Sequence, residues 1–333
     1  TLVAAVAVLG AALLPARAVA QPTLVDKKLA VRTVAAGLSQ PVAMAFIDNA
    51  DILVIEKASG QVKRFTGGAP AGTVLDLAVN SSSERGLLGI VTHPQFPATP
   101  WVYLYWTESS TGADSNVAAN VPLLGNRIDR FVWNGSTLTF DRSIARLRSY
   151  QADAGQPLRG NHNGGVLRFG PDGTLFAVIG DNGRRGQMQN LANGPFGPGI
   201  PDDQYGGPAP DAAHLTGVVL RLNDDGSAPV DNPFFGVGAA IGGEVGANLQ
   251  KVYAYGVRNS FGLAIDPYSG DLWETENGDD AFDEINRIEP GHNGGWIQAM
   301  GPIDRVAEFK AIELALGGAS LQQIRWPPAN IAD

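Results

Sequence analysis

Residues 165–183 read GVLRFGPDGTLFAVIGDNG, and their pattern indicates the fold class most clearly. Two apolar runs flank Pro171–Gly173, and Pro-Asp-Gly is a sequence that favours a tight turn. The second run, Thr174–Ile179, alternates in the way that a β-strand requires. The segment therefore predicts an antiparallel hairpin.

This hairpin pattern recurs along the chain. The four copies begin at Pro41, Gly86, Gly165 and Gly262. Further strand-like pieces follow the hairpins, at 127–133, 217–222 and 284–288. Repeated units of this kind predict an all-β fold, a β-propeller with about four blades in this chain. A β-sandwich is the alternative because it also has many short strands, but the repeated hairpin with its repeated turn favours the propeller.

The composition excludes several classes of function. The net charge is −9, which disfavours binding to nucleic acid phosphates. The chain has no cysteine, so disulfides, thiolate metal sites and cysteine nucleophiles are excluded. The G-x-S-x-G, H-E-x-x-H and Walker signatures are absent. The glycine-rich run Gly236–Gly242 has the wrong spacing for a dinucleotide loop, and we expect it to be a flexible loop.

The N-terminal residues resemble an export signal. Residues 2–14 are an unbroken apolar run, and the A-x-A sequence Ala18–Ala20 follows. We therefore expect residues 1–20 to be a secretory signal peptide and residues 21–333 to be the propeller, in a periplasmic or secreted protein without a stable membrane span. A buried N-terminal helix is the alternative. We also expect the chain to be incomplete at both ends, and to lack its last blades.

The last part of the chain predicts a short helix and an unclosed propeller edge. Residues 305–316 have apolar residues at helical spacing and predict a short helix. An unclosed propeller should expose apolar strand edges and aggregate.

Several polar residues stand just before predicted strands, where a propeller presents them to its axis. His162, within Gly160–Gly165, could act as a general base; the alternative is a histidine that caps a turn. Arg258 and its neighbour Asn259 offer donors to an anion or a carbonyl oxygen; the alternative is a structural ion pair. Glu84 stands at a third such position.

Segment 276–284 is rich in carboxylates and in turn residues, which suit a hard cation such as Ca²⁺. The alternative is a solvated acidic turn. The other histidines, His93, His214 and His292, follow or precede turns and are not expected to be catalytic.

Taken in order, these stretches resemble one known family. The motifs are Ser83–Gly89 with His93-Pro94, His162–Gly165 with Gly170–Gly173 and Ile179–Asp181, Gly256–Asn259, and Asp283–Asn286 with Gly294–Trp296. Together they resemble the soluble glucose/sorbosone dehydrogenases, also called aldose sugar dehydrogenases. The resemblance covers roughly residues 30 to 300.

The resemblance implies a six-bladed propeller that binds pyrroloquinoline quinone (PQQ) and Ca²⁺ and oxidises aldoses at C1 to lactones, passing electrons to an external acceptor. His162 resembles the base that takes the C1 hydroxyl proton, and Arg258 resembles the residue that polarises the quinone oxygen. The resemblance also implies that Glu84, Asn161 and Asn259 contact the cofactor. It implies that the backbone carbonyls of Gly278 and Asp279 bind the calcium.

The chain departs from the family pattern at four of these positions. Glu84 replaces a glutamine, Asn161 an aspartate, Asp279 a proline and Val257 a histidine. An added charge at position 84 would weaken binding of an anionic cofactor, and His162 would lack an acidic partner at position 161. These changes keep two alternatives open, a non-catalytic ligand- or protein-binding propeller and a calcium-dependent lactonase.

Overall fold

A computed structural model describes residues 24–150, 160–183, 214–278, 282–296 and 301–302. The described residues form fifteen strands and two short helices. Residues 1–20, Asp279 and residues 305–316 lie outside the described residues, as does most of the segment between 183 and 216. The described residues include no helix that is long and apolar enough to cross a membrane.

The strands form four antiparallel sheets in which chain order and spatial order agree. The first sheet contains β1 (Pro41–Asp48), β2 (Asp51–Glu56), β3 (Gln61–Thr66) and β4 (Ala69–Asp76). The second contains β5 (Leu87–Thr92), β6 (Trp101–Thr107), β7 (Asn126–Trp133) and β8 (Leu138–Leu147). The third contains β9 (Leu167–Phe169), β10 (Leu175–Ile179), β11 (Val218–Leu222) and β12 (Val252–Tyr255). The fourth contains β13 (Ser260–Ile265), β14 (Leu272–Glu276) and β15 (Glu284–Ile288).

The predicted hairpins are confirmed. Each of the four repeats supplies the first two strands of one sheet. In the third sheet, the N–H of Gly170 donates to the carbonyl of Thr174 at 2.8 Å, and Gly173 has a φ of 81°, a conformation that glycine adopts without strain.

Neighbouring sheets pack face to face around an axis, as the blades of a propeller do. The central strand β10 is buried on both sides because its alternate residues serve two different interfaces. Leu175, Ala177 and Ile179 pack in the core shared with the second sheet. Phe176 and Val178 pack in the core shared with the fourth sheet. A separate core joins the first and second sheets, so the four sheets form consecutive blades rather than a two-sheet sandwich.

The outer faces of the first and fourth sheets carry exposed apolar side chains. Val42, Met44 and Phe46 are exposed on β1, and Phe261 and Ile285 are exposed on the fourth sheet. Faces of this kind favour association with other apolar surfaces. The expected aggregation stays a prediction.

One expectation about local structure was wrong. The run Gly236–Gly242 is not an open loop, since most of it lies in helix α1 (Phe235–Ile241), which is followed by α2 (Gly243–Leu249). The two helices approach closely at Gly238 and Gly246: a Cβ atom on Gly238 would lie 2.5 Å from the carbonyl oxygen of Gly246. The glycines therefore serve helix packing here.

Candidate active site

Polar residues from three blades meet at one end of the axis because each precedes the first strand of its sheet. Glu84 precedes β5, His162 precedes β9, and Asn259 precedes β13. One carboxylate oxygen of Glu84, Oε2, accepts the backbone N–H of His162 at 2.6 Å and the side-chain amide of Asn259 at 3.2 Å. The structure thus brings together three of the residues predicted from the sequence.

His162 is buried and has an acidic partner. Its Nδ1 lies 2.5 Å from Oδ1 of Asp181, whose side chain is fully buried. The expectation that His162 would lack such a partner was wrong: Asp181, and not residue 161, supplies the carboxylate. An ionised carboxylate can only accept, so the neutral form of His162 that fits this contact carries its proton on Nδ1 and has the lone pair on Nε2. This is the tautomer that a general base acting through Nε2 requires.

Asp181 is itself held by further donors. Its Oδ1 also accepts the N–H of Gly183 at 2.7 Å, and its Oδ2 accepts the indole N–H of Trp296 at 2.8 Å. Trp296 has no exposed surface. A carboxylate held by several donors is fixed in position, and it therefore orients the His162 ring.

Strand register explains why Asp181 reaches His162. In the antiparallel pair β9–β10, Leu167 lies opposite Ala177, so continuing the same register brings the residues after β10 beside those before β9. Gly180 permits the close approach, because a Cβ atom there would lie 2.4 Å from the carbonyl oxygen of Arg258 and 2.6 Å from that of His162. The motif ending at Asp181 was visible in the sequence, but its partner follows only from the register.

Arg258 occupies the corresponding place in the fourth blade. It is buried, its backbone N–H donates to Oε1 of Glu276 at 2.5 Å, and its Nη1 donates to the carbonyl of Asn277 at 3.1 Å. The guanidinium carbon lies 5.4 Å from the centre of the Trp296 ring. These contacts hold the Arg258 cation near the His162–Asp181 pair, because Trp296 contacts Arg258 and also donates to Asp181.

Two buried acids lie on β14: Glu274, which the sequence did not indicate, and Glu276, which begins the predicted cation segment. Glu274 and Glu276 are two residues apart on one strand, so they face the same side, and both are almost fully buried. Burial raises the pKa of Glu274 to about 7, and burial together with the charge of Glu274 raises the pKa of Glu276 well above its usual value. The alternation of β14 was the signal that could have shown that these carboxylates point inward.

The predicted calcium site is only partly within the described residues. The N–H of Gly278 donates to Oδ1 of Asp283 at 2.8 Å, which closes the turn after β14. Among the residues that the structure describes, no group of three histidine or acidic side chains could hold a metal.

Several buried amide atoms around His162 have no hydrogen-bond partner within the described ranges. They are Oδ1 of Asn161, Oδ1 of Asn259 and both side-chain polar atoms of Asn182. A buried polar atom without a partner costs about 1–3 kcal/mol, so such atoms mark places where a ligand or water completes the set. Three of these four atoms are oxygens that can only accept, so they suit the hydroxyl groups of a sugar or of water, whereas the nearby guanidinium of Arg258 is the donor that suits the oxygens of PQQ.

His93 lies outside this cluster, at the other end of the second blade. His93 follows β5, its Nδ1 accepts the N–H of Gln95 at 3.1 Å, and its ring contacts Trp101 and Phe169 edge-on. These contacts give it a packing role.

The fold and the cluster define a β-propeller with a polar axial site at one end. The family model for glucose/sorbosone dehydrogenase matches residues 38–303, and the chain belongs to this family. The chain is 31% identical to quinoprotein glucose dehydrogenase B of Acinetobacter calcoaceticus, over 83% of this chain and 53% of that protein. It is 28% identical to the aldose sugar dehydrogenase YliI of Escherichia coli K12, over 78% and 59%.

A solved structure supports the same assignment. The chain is similar to the PQQ-bound aldose sugar dehydrogenase of Streptomyces coelicolor, with a TM-score of 0.59, 30% identity, and coverage of 81% of this chain and 66% of that one. The chain spans little more than half the length of the curated relatives described above.

Proposed function

We propose that this protein is an exported, PQQ-dependent oxidoreductase that oxidises aldose sugars at C1 to lactones and passes the electrons to an external acceptor. The observation that carries the proposal is the contact between His162 and Asp181, which presents Nε2 of a buried imidazole as a base. Membership of the glucose/sorbosone dehydrogenase family supports the reaction class. The apolar N-terminal run supports export to the periplasm or the exterior.

The His162–Asp181 pair does the proton chemistry. His162 Nε2 accepts the proton of the C1 hydroxyl, and the carboxylate of Asp181 stabilises the positive charge that the imidazole ring then carries. PQQ, when bound, supplies the two-electron acceptor for the hydride that leaves C1. The C1–H and O–H bonds break and a C1=O bond forms, so the product is a lactone.

The remaining site residues bind and orient. Arg258 would place positive charge beside the quinone oxygen that gains electrons, a role that depends on its being held before the reaction begins. Glu84, Asn161 and Asn259 would contact the cofactor, and the support for this assignment is the resemblance and the contacts of Glu84 with His162 and Asn259.

We further propose Ca²⁺ as the second cofactor, held by the backbone carbonyls of Gly278 and Asp279. Carbonyl oxygens are suitable ligands for this hard cation. The support is the resemblance and the closed turn at Gly278.

Dye reduction tests the proposal. The purified chain is mixed with PQQ, Ca²⁺ and each of a panel of aldoses, and reduction of an artificial acceptor is followed by absorbance. We expect sugar-dependent reduction that disappears in His162→Ala and persists in His93→Gln, a matched histidine substitution outside the site. PQQ binding without sugar-dependent reduction would favour the non-catalytic binding propeller. Hydrolysis of lactones with Ca²⁺ alone would favour the lactonase.

A further inference from the structure

The backbone of His162 has a conformation that histidine rarely adopts. Its φ is 57°, in the left-handed region that few residues other than glycine enter. The N–H of His162 donates to Oε2 of Glu84 at 2.6 Å and its ring contacts Asp181, so this backbone decides where both groups point. A conformation of this kind persists only where the surrounding structure holds it.

Asn163, the next residue, is fully buried, and both polar atoms of its side chain have partners. Its Nδ2 donates to the carbonyl of Gly160 at 2.6 Å, which closes a turn around His162. Its Oδ1 accepts from Nδ2 of Asn126 at 2.8 Å. Its backbone carbonyl accepts the hydroxyl of Tyr105 at 2.9 Å, and burial raises the pKa of Tyr105, so the hydroxyl keeps its proton. Asn163 therefore ties the turn at His162 to the second blade.

The side chain that meets Asn163 from the second blade belongs to Asn126, the first residue of β7. Oδ1 of Asn126 accepts the hydroxyl of Thr107 at 2.6 Å, and all three of these side chains are fully buried. The N–H of Thr107 donates to the carbonyl of Gly86 at 2.8 Å. Because Gly86 follows Glu84 by two residues, this chain of hydrogen bonds connects the segment that carries the carboxylate with the turn that carries the base.

The hydrogen bonds require an amide at both positions. A backbone carbonyl can only accept, so the carbonyl of Arg148, at 2.8 Å, fixes the orientation of the Asn126 amide. The carbonyl of Gly160 fixes that of Asn163 in the same way. A carboxylate at either position would place an oxygen against an acceptor, and an aliphatic side chain would leave these carbonyls without their donors. The pair is therefore specific in both charge and hydrogen-bond polarity.

We propose that Asn163 is a positioning residue for the base: together with Asn126 it holds the left-handed backbone of His162 and so fixes the position of Nε2. The inference rests on the proposed function and deepens it. Asn163 acts through His162, because both of its own side-chain polar atoms are already bonded within the protein.

A magnetic resonance experiment without PQQ tests the positioning. The chain has four histidines, so selective ¹⁵N-histidine labelling gives four backbone amide signals. The N–H of His162 donates to a carboxylate at 2.6 Å, which should shift its proton downfield. We expect Asn163→Ala and Asn126→Ala to move this signal upfield and to leave that of His93 in place. Asn232→Ala is the matched control, since it removes a buried asparagine that donates to two carbonyls elsewhere in the third blade, and it should leave the His162 signal unmoved.

Dye-linked kinetics with PQQ and Ca²⁺ give the second readout. We expect Asn163→Ala to lower kcat about 10–100-fold, the effect of a small misplacement of a reacting group, and to leave the dissociation constant of PQQ within about twofold. Asn126→Ala should lower kcat about tenfold in the wild type and less than about twofold in the Asn163→Ala background, because it acts through Asn163. Asn232→Ala should lower Tm and keep kcat within about twofold of the wild type.

An unmoved His162 signal in Asn163→Ala, or independent losses of kcat from the two substitutions, would overturn the inference. If Asn163→Ala does not fold, Tyr105→Phe removes only the hydroxyl that donates to the Asn163 carbonyl; it should also move the His162 signal, and an unmoved signal would overturn the inference. Absence of sugar oxidation by the wild type would instead contradict the proposed function, and the amide signal would still decide the positioning.

Discussion

Replacement of Asp181 by asparagine tests the proposed base most sharply, because it changes charge and hydrogen-bond polarity with almost no change in shape. The carboxylate accepts three N–H groups: from His162 at 2.5 Å, from Gly183 at 2.7 Å and from Trp296 at 2.8 Å. An asparagine has one acceptor oxygen in place of two. One side of the new amide must therefore face a donor with its own NH₂ group.

Two orientations of the amide are available. If its oxygen faces His162 and Gly183, the indole N–H of Trp296 loses its acceptor, at a cost of about 1–3 kcal/mol of unfolding free energy. If its oxygen faces Trp296, His162 Nδ1 must accept from the amide, and the proton moves to Nε2. The base is then lost. In both orientations the charge that stabilises the protonated ring is gone.

The expected loss in kcat for Asp181→Asn is about 10²–10⁴-fold, the range that a general base contributes. Dye-linked kinetics with PQQ and Ca²⁺ measure it, and Asp266→Asn, an exposed turn residue, is the control. The ¹⁵N chemical shifts of the His162 ring report the tautomer independently of activity. A wild-type ring protonated on Nε2, or a variant with kcat within about tenfold of wild type and an unchanged tautomer, would refute the reasoning.

Three further substitutions test the packing and the buried charges. Gly180→Ala would place a methyl group 2.4 Å from the Arg258 carbonyl oxygen, so we expect a loss of about 1–3 kcal/mol in a thermal melt. Gly236→Ala, where a Cβ atom would meet nothing within 4 Å and φ is not positive, is the control and should cause no loss. Trp296→Phe removes the N–H that contacts Asp181 and leaves a smaller aromatic ring at a fully buried position, so it should lower the unfolding free energy by about 2–3 kcal/mol and lower kcat less than the Asp181 change does. Glu274 has a pKa of about 7 when folded, above its usual value of 4.5, so the folded state binds more protons between these values. Ionisation of Glu274 should therefore lower the unfolding free energy of the wild type by about 3–4 kcal/mol as pH rises from 4.5 through 7, and Glu274→Gln should be the more stable protein at pH 8. Denaturant titrations at pH 5 and pH 8 that show the same difference between the two proteins would contradict this.

The hairpins could be predicted because their determinants are local. The turn at Pro171–Gly173 and the alternation of the run that follows it lie within a few residues of each other, and both agree with the structure. The same local signals place Glu84, His162 and Arg258 immediately before first strands. Convergence at one end then follows from the propeller topology.

The missed features depend on contacts between distant parts of the chain. Asp181 reaches His162 through strand register, and Trp296 reaches Asp181 from 115 residues away along the chain. Neither of these two contacts can be predicted from composition or periodicity. Helix α1 was missed for a related reason. The place of Gly238 in this helix is explained by the close approach of α2 at Gly246, which the sequence pattern does not show.

A single turnover shows whether His162 removes the hydroxyl proton while hydride leaves C1. The chain loaded with PQQ and Ca²⁺ is mixed without oxygen or dye with an aldose carrying either hydrogen or deuterium at C1, and reduction of the quinone is followed by absorbance. We predict one equivalent of lactone, slower reduction with deuterium, and no reduction in His162→Ala. Equal rates for the two sugars with reduction as the slow step, or an undiminished rate in His162→Ala, would contradict it.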